Sequence, residues 1–139
     1  MVPAAAVSRP DSRPVTRSLL GGVGLVLAFD AGGAAAARFF GFRYTLLLFG
    51  TYAIYLFVTF WAARRYGVLA AVAFGAILGL ADATLGWVIS WLIGPGRPAE
   101  PLTVVSAAGV VAVSVLLGTV VGILGGAASR FIGTPRSTS

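Results

Sequence analysis

At 139 residues, 58% apolar and 10% charged, the chain has room for one domain and lacks the composition of a water-exposed surface. It contains no Cys and no His, which excludes disulfides, thiol chemistry, imidazole bases and nearly every zinc or haem site. The net charge of +6 comes from ten Arg against four acidic residues, and these arginines sit mainly at the ends of apolar stretches, as topology charges do, rather than in a nucleic-acid-binding cluster.

Residues 1–17 hold three Pro and three Arg without apolar periodicity and read as a disordered cytoplasmic tail. Four apolar stretches follow, 18–37, 44–63, 67–93 and 102–128, each near or above the ~20 residues that a membrane-spanning helix needs. Between the third and fourth, the segment 94–101 carries three Pro and two Gly and reads as a stiff turn. Residues 129–139 form a short polar tail. Such short connections predict antiparallel neighbours, so the expected fold is an all-α membrane protein, an antiparallel four-helix transmembrane bundle.

Arg9, Arg13, Arg17, Arg64, Arg65, Arg130 and Arg136 fall on one side of these spans, against Arg38, Arg43 and Arg97 on the other. The excess predicts that both termini are cytoplasmic. Trp87 and Trp91, the run 39–44, and Trp61 with Tyr66 fall where interfacial aromatic belts are expected. The absence of Lys from an Ala- and Gly-rich chain points to a GC-rich bacterial genome, hence to a bacterial inner membrane.

The first span is marginal on its own. Leu19, Leu20, Val23, Leu25, Val26, Leu27 and Phe29 supply roughly −2 to −4 kcal/mol on an insertion scale, close to what one mid-span Asp takes away. It therefore needs neighbours, a protonated Asp30, or a different identity. The different identity is a cleaved signal peptide, with an Arg-bearing leader, an apolar core from Leu19 to Phe29, and small residues at 33–37.

Asp30 and Asp82 lie inside apolar stretches with no Lys, Arg or His beside them, and a charged Asp at a helix centre costs about 2.5 to 3.5 kcal/mol. Asp82 shares a helix face with Gly75, Gly79 and Gly86, so it should point at a neighbouring helix. Counting ~1.5 Å per residue from the span ends sets Asp82 level with Ser114, its expected partner, and Asp30 level with Thr51 and Tyr52. Thr51, Tyr55 and Thr59 form a polar stripe at four-residue spacing. In an up-down-up-down bundle the first and third spans face each other diagonally, and the two aspartates then meet across the core, with a depth difference of about 6 Å. A proton or cation site built from Asp82, Asp30, Ser114, Thr51, Tyr52 and Tyr55 is one reading. The other is that each Asp is neutral or bonded to hydroxyls and merely fixes helix register, so that Asp→Asn is tolerated.

Ser114, Gly118, Gly122 and Gly126 recur at four-residue spacing on the fourth span, and Ala71, Gly75, Gly79 and Ala83 do so on the third. Small residues at this spacing let helix backbones approach closely, either within the bundle or as a homo-oligomer interface along the fourth span. Asp30, Gly32, Gly33, Ala37 and Arg38 resemble the opening of the CDP-alcohol phosphotransferase signature. That signature needs two further aspartates on the next helix, and the second span has none.

Taken together, these residues predict a small, non-enzymatic integral membrane protein with no cofactor and no nucleic-acid partner. An accessory or scaffold bundle that self-associates or joins a membrane complex is the first expectation. A small proton- or cation-coupled transporter or channel using Asp82 and Asp30 is the second.

Overall fold

Long runs of Leu, Val, Ala and Phe bring their backbone into lipid, where only the helix's own turns can satisfy its N–H and C=O groups. The structure, a computed structural model, describes residues 13–94 and 103–132, and within these the chain is almost wholly helical. Helix α1 (Arg13–Phe40) is followed by a 3-10 turn (Tyr44–Leu46) and α2 (Leu47–Tyr66). The third span comprises α3 (Val68–Ala81), a π-helical turn (Asp82–Gly86) and α4 (Trp87–Ile93), and α5 (Val104–Phe131) is the fourth. All four are long and apolar enough to cross a membrane.

The sequence expectation placed Arg13 to Arg17 in a tail, but α1 begins at Arg13. Pro14 is tolerated there because the first helical turn leaves its N–H groups unused in any case. Tyr66 at the end of α2 holds this turn in place, its hydroxyl lying 3.1 Å from the Pro14 carbonyl and 2.8 Å from Ser18 Oγ. The tail residues before Arg13, the turn from Pro95 and the tail beyond Ile132 lie outside the described residues.

Only Gly67 separates α2 from α3, with φ of +93°, a backbone conformation that side-chain-bearing residues rarely adopt. At the other end of the bundle Arg38, in the last turn of α1, donates to the Ile93 carbonyl and so satisfies the C-terminus of α4. Helix α5 opens on a reciprocal cap. Thr103 Oγ1 accepts from the Ser106 N–H at 3.1 Å, and Ser106 Oγ accepts from the Thr103 N–H at 3.0 Å. Thr103→Ala is expected to lower stability by about 1 kcal/mol, read as a fall in melting temperature in mild detergent.

Packing departs from a square bundle. Helices α3 and α5 share the largest contact, α2 touches both, and α1 packs on α2 and on the third span without reaching α5. The first and third spans are therefore adjacent rather than diagonal. The cause is the glycine-lined seam between α3 and α5, which draws the fourth span to the far side of α3. Within the seam Gly75 faces Gly118, Gly79 faces Ser114, Ala71 faces Gly122 and Val68 faces Gly126. Val26, Tyr55, Val58, Ala62, Phe74 and Leu78 form the apolar core between α1, α2 and α3. Only 11% of the most apolar stretch of α5 is buried, and Val113, Leu116, Val120, Ile123 and Leu124 point outward, as a lipid-facing surface does.

Candidate functional site: a carboxyl pair in mid-membrane

Asp30 lies midway along α1, facing the third span, and is 4% exposed. Its Oδ2 is buried with no hydrogen-bond partner. Its charged neighbour is Asp82, within hydrogen-bonding reach on the first residue of the π turn. Gly86 makes the meeting possible. A Cβ built on Gly86 would stand 2.5 Å from Asp30 Oδ2 and 3.0 Å from Asp82 Oδ1, so the two carboxyl groups occupy the space that any side chain would fill.

The π turn belongs to the same arrangement. The Trp87 N–H reaches back five residues to the Asp82 carbonyl, and Thr84 Oγ1 donates to the Leu80 carbonyl at 2.7 Å, a back-bond that competes with regular helical pairing. π turns insert one residue into a helix and recur at functional sites. The turn before it is braced by Tyr55, fully buried on α2, whose hydroxyl donates to the Leu78 carbonyl at 3.0 Å. Tyr55 is also an electrostatic neighbour of both carboxyl groups, and the Tyr52 ring meets it edge-on with centroids 6.0 Å apart.

No arginine pairs with either carboxyl among the described residues, and the nearest on α1, Arg38, is engaged by Ile93. Two carboxylates this close and removed from water repel one another, and a proton shared between them relieves that repulsion. A shared proton gives the unpartnered Asp30 Oδ2 a hydrogen bond, the condition that buried polar atoms normally meet.

The structure gathers Asp30, Asp82 and Tyr55, with Tyr52 against the Tyr55 ring, and gives Thr51 and Ser114 other partners. Thr51 is buried but donates to the Leu47 carbonyl of its own helix at 3.2 Å. Ser114 is not the partner of Asp82. Its backbone carbonyl packs on Gly79, one turn before Asp82, and no hydrogen bond joins the two side chains among the described residues. The glycines Gly75, Gly79, Gly118 and Gly122 are occupied within the chain by the α3–α5 seam, and Gly126 by Val68, so that stripe does not face outward as an oligomer surface. Sequence reasoning missed the π turn and the role of Gly86 as a gap. The available signal was Gly86 itself, four residues from Asp82 on the same face. Searched against family models, curated proteins and solved structures, the chain matches none.

Proposed function

We propose that this is a small, non-enzymatic, proton-coupled membrane bundle in which Asp30 and Asp82 take up and release one proton at mid-membrane. The observation that carries this reading is the buried, unpartnered Asp30 Oδ2 lying beside Asp82 in the gap left by Gly86. A proton fits this donor set better than a metal cation. Thr51, Thr84 and Ser90 each donate to a carbonyl of their own helix and Tyr55 to Leu78, so the hydroxyls serve as backbone braces rather than as an oxygen cage. Asp82 is less buried than Asp30.

In this reading the four helices are antiparallel, both tails are cytoplasmic, and the membrane is a bacterial inner membrane. The opposed numbering of the α3–α5 seam and the excess of Arg at one end support that arrangement. A second reading, an accessory bundle that self-associates or joins a membrane complex, is favoured by the bare Val and Leu face of α5.

Proton flux in liposomes under an imposed potential separates the two. Wild type should conduct or exchange protons, and both Asp30→Asn and Asp82→Asn should lose about a hundredfold of that flux, the lower end of the range for removing a proton-transfer group. Melting temperatures should stay at or above the wild-type value, because each substitution replaces one of two mutually repelling buried carboxyls with a neutral amide of the same shape. Infrared difference spectra should show the carbonyl stretch of a buried protonated carboxyl in wild type, lost in Asp30→Asn and shifted in Asp82→Asn, where Asp30 stays buried without its neighbour. Folded wild-type protein without flux would leave the accessory reading standing and overturn this one.

A further inference from the structure

The Arg-rich end of the bundle contains a second construction, independent of the carboxyl pair. A pocket of about 680 Å³ opens between the start of α1 and the end of α2, lined by Arg13, Arg17, Ser18, Trp61, Arg65 and Tyr66. Among the described residues the only carboxyl groups are Asp30 and Asp82, both in mid-membrane. Asp11, outside the described residues, is the one acidic residue near this end in sequence, against Arg9, Arg13, Arg17, Arg64 and Arg65. The Arg65 guanidinium sits 5.7 Å above the Trp61 ring, which holds it at the pocket rather than free to follow solvent.

The pocket continues downward. Ser18 and Trp61 also line a groove of about 240 Å³ whose remaining walls, Gly21, Gly22, Leu25, Phe57 and Val58, carry no charge. The groove exists because α1 presents glycine here: a Cβ on Gly21 would meet nothing within 4 Å, whereas Gly22 lies directly against Val58. Leu25 and Phe57 are open to the surroundings along its length. From Arg17 to Leu25 the helix descends about 12 Å at ~1.5 Å per residue, from the interfacial belt marked by Trp61 and Tyr66 into the hydrocarbon. A cationic recess at headgroup depth running into an apolar channel at acyl-chain depth matches one molecule that has both parts.

We infer that this is a binding site for a single anionic phospholipid, its phosphate held by Arg17 and Arg65 and one acyl chain laid in the Gly21–Gly22 groove, with Ser18 and Tyr66 bonded to each other and to the Pro14 carbonyl as the wall between them. Basic pockets between spans at the membrane surface recognise anionic headgroups in this way. The phosphate chemistry alone would also suit free inorganic phosphate, but the groove has no function for that ligand.

Native mass spectrometry of the full chain in mild detergent tests the site with phosphatidylglycerol, phosphatidylcholine and inorganic phosphate as separate probes. Wild type should retain one phosphatidylglycerol in clear preference to phosphatidylcholine. Arg17→Gln with Arg65→Gln should lower that affinity by about 30-fold, as expected for two interfacial arginines. Gly21→Leu, which fills open space and leaves the helix contacts intact, should weaken lipid binding with the melting temperature unchanged. If the double variant does not fold, Arg17→Gln alone, on an exposed turn, should still lose part of the preference. Equal retention of both lipids, or arginine variants that bind as wild type does, would overturn the site. Inorganic phosphate competing fully, with Gly21→Leu without effect, would overturn the lipid assignment in favour of a free anion.

Discussion

Gly75→Leu is expected to leave no folded protein in mild detergent, and Gly75→Ala to lower stability by about 2 to 3 kcal/mol, at the severe end of overpacking. A Cβ on Gly75 would fall on the Gly118 carbonyl oxygen, closer than carbon and oxygen can approach, with the Gly122 Cα at 3.1 Å behind it. The obstruction is backbone on both sides, so no rotamer change relieves it. The helices have to separate, and separation loosens the whole seam from Val68–Gly126 to Gly79–Ser114. Lipid offers no hydrophobic drive to restore that contact, because its tails solvate an apolar helix as well as another helix does. Gly24 and Gly109 provide the internal standard: a Cβ at either would meet nothing within 4 Å. Ala at those positions should be neutral or stabilising by up to about 1 kcal/mol, the ordinary difference in helix propensity. Thermal melting of the three Ala variants side by side checks this. Gly75→Ala melting with the other two would show that the seam does not hold the fold.

Gly86→Ala is expected to reduce proton flux by about tenfold or more while leaving the bundle folded. In an unremarkable helical position the change would stabilise by up to about 1 kcal/mol. Here the new methyl would stand 2.5 Å from Asp30 Oδ2 and 3.0 Å from Asp82 Oδ1, and both carboxyl groups would have to turn aside. Both backbones are held, Asp82 by the braced π turn and Asp30 by the packing of α1 on α2, so the side chains absorb the displacement. Small misplacements of reacting groups have large rate effects, and proton exchange between two carboxyls depends directly on their separation. The carbonyl stretch of the shared proton should shift with the flux loss. A stabilised Gly86→Ala variant with wild-type flux would separate Gly86 from the site and remove the geometric basis of the pair.

Hydropathy made the four spans legible, because span length and apolar content are set by the bilayer and not by the details of packing. The glycine periodicity likewise marked Gly75, Gly79, Gly118 and Gly122 as positions of close backbone approach. Which helices meet was less legible. The seam fixes α5 to the outer side of α3, and that choice depends on three-dimensional fit that no spacing rule encodes. The expected pairing of Asp82 with Ser114 came from treating each span as an upright, regular helix. The π turn breaks that regularity at Asp82, and the depth difference between the aspartates, inferred by counting from apparent span ends, does not survive in a helix that continues through Arg38 to Phe40. The start of α1 at Arg13 was illegible for another reason: it is stabilised by Tyr66, a partner distant in sequence.

The single-residue connection at Gly67 bears on how the protein is made. With so short a tip, the two arms lie side by side as soon as both are made, and neither can be placed far from the other. The first span therefore emerges ahead of everything that will hold it. Asp82 follows Asp30 by roughly 50 residues, about 3 to 10 s of synthesis at 5–20 residues per second, and until then Asp30 has no neighbour with which to share a proton. The amino-terminal helix thus gains the neighbour that its buried carboxyl needs only once the ribosome has delivered the hairpin.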